Sequence, residues 1–167
     1  MKTDKSLRAV GMAVFGLAVW DSRALLSAWL HSPLDRLGWL ALFLWVSPVV
    51  WLSWNQRNLG VGRLWYICGS LAALAFGAIS SMNSFGYLAL AAIISAVPGF
   101  SIYSVLWFLT AASWMPAFSW AANTVPLPVL IVGRVLMAGT GAFLLALPAL
   151  RAGERSFPSK QTASATA

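Results

Sequence analysis

The chain has 167 residues, 60% of them hydrophobic and only 9% charged, with 11 Lys and Arg against four Asp and Glu and a net charge of +7. That composition excludes an ordinary soluble domain, whose elements need a solvated face, and points to a membrane protein. One Cys and one His exclude an internal disulfide, a CxxC redox pair and a Cys-based zinc cluster.

Basic residues in a membrane chain are topogenic groups that sit beside anionic lipid. The expected partner is therefore the bilayer rather than nucleic acid. No cofactor or metal is expected.

The N-terminal segment, Met1 to Arg8, is basic and precedes an apolar run from Ala9 to Trp20. It has the outline of a signal peptide, but Trp20-Asp21-Ser22-Arg23 follows where a small-x-small cleavage site would stand. The run is read as an uncleaved first span near residues 9–20. Ala24–Leu30 is apolar again, flanked by Asp21, Arg23, His31, Asp35 and Arg36, and is expected as an external loop or interfacial helix ended by Pro33. Leu37–Trp54 is uncharged and holds four Trp residues with Pro48 in its middle. It is the clearest span, and a polar, glycine-punctuated loop around Arg57 follows it.

From Leu64 to Gly133 the chain runs 70 residues without Lys, Arg, Asp, Glu or His. Soluble domains do not go that long without charge. Membrane regions do, because a charge at the centre of a span costs about 2.5–3.5 kcal/mol on insertion scales. Within this stretch the third span, near 64–81, carries Gly69, Ala73 and Gly77 at four-residue spacing, a small-residue face for close helix contact. Cys68 lies beside that face and reads as a small buried hydrophobe. A fourth span near 87–97 closes at Pro98-Gly99. The fifth, near 102–122, places Tyr103, Trp107, Trp114 and Phe118 on one helical arc, a pattern of lipid-facing or core aromatics. Two prolines, Pro126 and Pro128, form a turn before a sixth span near 129–150, which contains Arg134 with Ala138 and Gly141 on the same face.

The expected fold is thus an all-α, polytopic transmembrane bundle of about six spans over residues 1–150. The Ser/Thr/Ala-rich segment 151–167 is expected as a disordered cytoplasmic tail. With both termini inside, eight basic residues fall on inner segments and two, Arg23 and Arg36, on outer ones, which gives an N-in, C-in protein of the cytoplasmic membrane.

Four residues are candidates for function: Arg134, Asp21, Asp35 and His31. An Arg inside an apolar span is by default a functional group, and the alternative is a side chain snorkelling to the outer interface. About 9 Å inside the helix at 1.5 Å per residue, its charge needs a carboxylate or a route to water. The acids on that side are Asp21 and Asp35. Asp21 is the expected partner and Asp35 the second choice. No catalytic constellation is complete, since His31 is the sole candidate base.

Trp29 before His31-Ser32, a Trp-rich span ending in Asn55-Gln56-Arg57-Asn58, Trp107-Phe108-Leu109 with Trp114-Met115-Pro116, and Val125-Pro126-Leu127-Pro128 together resemble exosortase/archaeosortase-type proteins over roughly residues 15–135. Those are polytopic membrane transpeptidases that process C-terminal sorting signals. The family's nucleophile sits in a Cys-Ser-Gly-like motif beyond this region, and no such motif follows here. Cys68, in Cys68-Gly69-Ser70, lies too early to inherit the role. The resemblance therefore implies a truncated or non-catalytic relative, acting with a protein partner or as a homo-oligomer in surface-protein sorting or polysaccharide export. A small transporter or channel using Arg134 for an anionic substrate is the alternative.

Overall fold

A computed structural model describes residues 2–33, 35, 37–55, 63–116 and 125–154. Among these residues every regular element is helical: α1 (Lys2–Asp21), α2 (Ala24–His31), α3 (Gly38–Asn55), α4 (Arg63–Ser80), α5 (Asn83–Ser95), α6 (Ile102–Leu109) with a 3-10 turn (Thr110–Ser113), and α7 (Leu127–Glu154). The expected loop around Arg57, the last residues of the expected fifth span and the tail from residue 155 lie outside the described residues.

The chain forms a helical bundle in which three stretches are long and apolar enough to cross a membrane: Ala9–His31, Arg63–Ser80 and Leu127–Arg151. Gly38–Ser53, Asn83–Ser95 and Ile102–Ser113 are apolar but shorter. The first of the long stretches exceeds the expected span. Backbone bonds from the Ser22 N–H to Ala18 and from the Leu25 N–H to Ser22 carry the helical path from α1 into α2, so the segment expected as an external loop extends the first helix.

Pro48 sits inside α3, where it cannot donate to the carbonyl of Leu44. The hydroxyl of Ser47 donates to that same carbonyl at 2.8 Å, replacing the bond that proline removes.

The α4–α5 pair is the most extensive helix contact. Ser81, at a φ of 54°, reverses the chain within two residues and sets the helices antiparallel. Their interface is built from small residues: Ser70, Ala73 and Gly77 of α4 are buried, and Gly86, Ala89 and Ala92 face inward from α5. The Ser70 hydroxyl donates across it to the Ala89 carbonyl at 2.9 Å. The expected stripe of Gly69, Ala73 and Gly77 holds at Ala73 and Gly77 but fails at Gly69, which opens onto empty space. Four residues turn a helix about 40° past a full turn, so a strict four-residue stripe drifts off its contact. Cys68, expected to be buried, is exposed, since the nine-residue step from it to Gly77 puts it about half a turn around α4 from that contact.

Pro98 and Gly99 (φ 77°) turn the chain into α6, which Ser101 and Ser104 cap reciprocally. Each hydroxyl accepts the other's backbone N–H, at 3.0 and 2.8 Å. The expected helix over 102–122 stops early, at Leu109, and tightens into the 3-10 turn. Its cause is local. The Trp107 carbonyl, which a continuing α-helix would offer to Ala111, accepts the Thr110 hydroxyl at 2.6 Å and an indole N–H at 3.0 Å.

Helix α7 packs on α3, α6 and the 3-10 turn through Arg134, Ala138, Gly141 and Leu145, all buried on one face. A Cβ at Gly141 would run into the Thr110 side chain, so only glycine allows this approach. Gly133, on the same helix, faces no neighbour. Gly141→Ala should destabilise the protein by about 1–3 kcal/mol through overpacking. Gly133→Ala should be neutral or stabilising by up to about 1 kcal/mol. Thermal unfolding in detergent compares the two, and equal shifts would mean that α7 does not sit against Thr110.

Candidate functional site

The polar centre of the bundle is assembled at one end, where α2 stops, α3 and α7 begin and the 3-10 turn finishes. Ser32 ends α2, and a short turn folds back toward the core. In it the Asp35 N–H donates to Ser32 at 3.1 Å, and the Gly38 N–H donates to the Asp35 carbonyl at 2.8 Å. This turn buries Asp35 to 3% exposure. Gly38 makes the inward fold possible, because the Trp29 indole lies where a Cβ at that position would be.

Arg134 meets Asp35 here. Its guanidinium is fully buried, and Nη2 donates both to Oδ1 of Asp35 and to the Met115 carbonyl at 3.4 Å. A buried charge is tolerated only when a counter-charge and further acceptors compensate its lost hydration, and this arrangement supplies both. The pair joins the turn before α3, helix α7 and the end of the 3-10 turn at one point.

Beside it lies a tryptophan clasp. Trp45 of α3 and Trp107 of α6 stack with ring centroids 4.0 Å apart and planes 10° from parallel. Each indole N–H donates to the other residue's carbonyl, Trp45 to Trp107 at 3.0 Å and Trp107 to Trp45 at 2.9 Å. Trp114 tilts against Trp45 at 5.7 Å, and its carbonyl accepts the Trp29 N–H at 3.3 Å. Trp45, Trp107 and Trp114 are fully buried, whereas Trp20, Trp39 and Trp65 stand on the surface. The Trp114 N–H and the neighbouring Ser113 hydroxyl are buried with no hydrogen-bond partner among the described residues.

Of the four candidates, two come together and two stay apart. Arg134 and Asp35 pair. Asp21, the expected partner of Arg134, sits elsewhere: it ends α1 on the protein surface, with its carboxylate against the backbone of Gly86 and near Gly77 on the α4–α5 hairpin. The expected pairing is therefore corrected from Asp21 to Asp35, and the close approach of α7 is to α3 and α6 rather than to the first helix. The reason is the inward turn at 32–38, which carries Asp35 into the core, while two residues and the start of α2 hold Asp21 on the α4 and α5 side. Arg23, next to Asp21, lies over the Trp20 ring at 4.8 Å. His31 is exposed, and its Nδ1 is bonded within its own helix to the Ser27 carbonyl at 2.9 Å.

Sequence reasoning missed the three core tryptophans as a unit. The available cue was their spacing from the ends of the apolar runs: Trp45 lies mid-span, where an interfacial role has no meaning. The missed role of Gly38 has a subtler cue, a glycine at the very start of a long apolar run.

Chemically, the arrangement is an enclosed ion pair with aromatic walls. Among the described residues no three His, Cys, Asp or Glu side chains converge as metal ligands would. No family model, curated protein or solved structure matches the chain.

Removing one member of the pair strands the other in the core. Arg134→Met or Asp35→Leu alone should therefore cost about 3–5 kcal/mol, and the double variant should recover most of it. Asp21→Asn, at the surface, should cost less than about 1 kcal/mol. Denaturant unfolding in micelles reads all four proteins, and a double variant no more stable than either single one would reject the pairing.

Proposed function

We propose that this chain is a multi-pass protein of the cytoplasmic membrane, with about six passes and both ends inside, that has no catalysis of its own. On this reading it serves as an exosortase-like accessory protein, holding a partner membrane protein in surface-protein sorting or polysaccharide export. The observation that carries the reading is the use made of Arg134. The one ionised group in the long charge-poor region is spent on internal bracing, enclosed between Asp35 and the Met115 carbonyl. A guanidinium held in this way fixes helices against one another. To meet an anionic substrate it would first have to leave Asp35, so the geometry favours a scaffold over a transporter built on Arg134.

Two further features agree. Cys68 is exposed on α4, and the lone His31 is engaged with its own helix. The charge distribution favours an inner position for both ends. Passes as short as α5 are accommodated where they lie inside a bundle, with neighbouring helices covering their ends.

The test is genetic and biochemical. Deleting the protein in a cell that makes it should leave a reporter with a C-terminal sorting signal unprocessed. Cys68→Ser should restore processing to the wild-type level, while Arg134→Met should restore less, in proportion to its lower steady-state abundance. Normal processing after deletion would reject the sorting role. Loss of processing by Cys68→Ser at unchanged abundance would replace the scaffold with a cysteine enzyme.

A further inference from the structure

At the opposite end of the bundle from Asp35, a cleft of about 390 Å³ opens between α1, α4 and α5. Leu7, Gly11 and Phe15 line it from α1, Ile67 from α4, and Ile93 and Val97 from α5, so its walls are almost wholly apolar. Its size falls within the range of small-molecule sites. One charged residue belongs to it: Arg63, the first residue of α4, whose Nε donates to the Ala96 carbonyl at the end of α5 at 3.1 Å.

That bond anchors the guanidinium at the rim and directs its positive charge to one end of an apolar trough.

We infer that this cleft is a binding site for an anionic phospholipid, with one acyl chain in the trough and the phosphate at Arg63. Charge complementarity chooses the occupant. A partner helix would need a matching acid at the rim, whereas every anionic lipid carries a chain and a phosphate joined in the order the cleft presents them. Gly11 sets the depth of the trough. A Cβ there would only touch Ile67 at 3.9 Å, so alanine fits, but a larger side chain would occupy the space of the chain. The inference needs the bundle to lie in a membrane and does not depend on the sorting role.

The experiment is lipid retention by the full-length protein, purified from detergent mixed with equal phosphatidylglycerol and phosphatidylcholine and read by native mass spectrometry. The wild type should retain phosphatidylglycerol over phosphatidylcholine by about fivefold, the preference that one basic residue at a membrane surface confers. Arg63→Gln should lose the preference and Arg63→Lys should keep it. Gly11→Leu should lose retention of both lipids with its unfolding temperature unchanged, which holds the test even if Arg63→Gln fails to fold. Equal retention of the two lipids by the wild type, or full retention by Gly11→Leu, would overturn the proposal. Displacement of the lipid by inorganic phosphate alone would do so too, since it would mean an anion site without a chain.

Discussion

A guanidinium cannot be left bare in an apolar interior, and the upper half of this bundle is arranged around that constraint. Arg134 is fully enclosed, so something must bring a carboxylate to it. The something is the turn between α2 and α3, which carries Asp35 into the core. Once Asp35 is drawn in, Gly38 must lack a side chain so that Trp29 can close over the turn. The 3-10 turn must then end where the Met115 carbonyl can serve as a further acceptor. Ala138 and Gly141 keep α7 near enough for the reach to be made. Each of these features brings a partner within reach of the charge or holds it there.

The backbone of α6 obeys a related rule. Polar groups in a dry interior have to be shared, and the Trp107 carbonyl is shared away from its own helix. By giving it to an indole and a hydroxyl, the fold ends α6 early and turns it into a latch on α3. Stacking then adds area and orientation to bonds that already run both ways. The result is a rigid junction of α3, α6 and α7. The α1, α4 and α5 side is held mainly by small-residue contact, with the Ser70 hydroxyl as a polar link across it.

Much of this was legible in the sequence, and the parts that were not share a cause. The all-helical character follows from a charge-free run that only helices could carry through lipid, and Arg134 with Ala138 and Gly141 reads directly as one face of one helix. Such features are local, set by periodicity and composition. The choice of Asp35 over Asp21 is not local. Asp21 looks better placed because it ends a helix, but the turn of six residues between α2 and α3 decides the matter, and its inward course depends on Trp29 and Gly38 together. The early stop of α6 was hidden for the same reason: Trp45, 62 residues away in sequence, supplies the competing hydrogen bond. Gly69 was misplaced by a smaller error, since each four-residue step drifts about 40° around the helix and two such steps separate Gly69 from Gly77.

The hairpin of α4 and α5 constrains how the two helices can pack. Helix α5 has 13 residues, about 20 Å at 1.5 Å per residue, against a hydrocarbon core of about 30 Å. Alone it is too short to partition stably, and its inner face of Gly86, Ala89 and Ala92 offers lipid little apolar area. With two residues between the helices and small residues buried on both facing sides, each helix completes the other's inner face, so the unit that packs here is a helical hairpin rather than a helix.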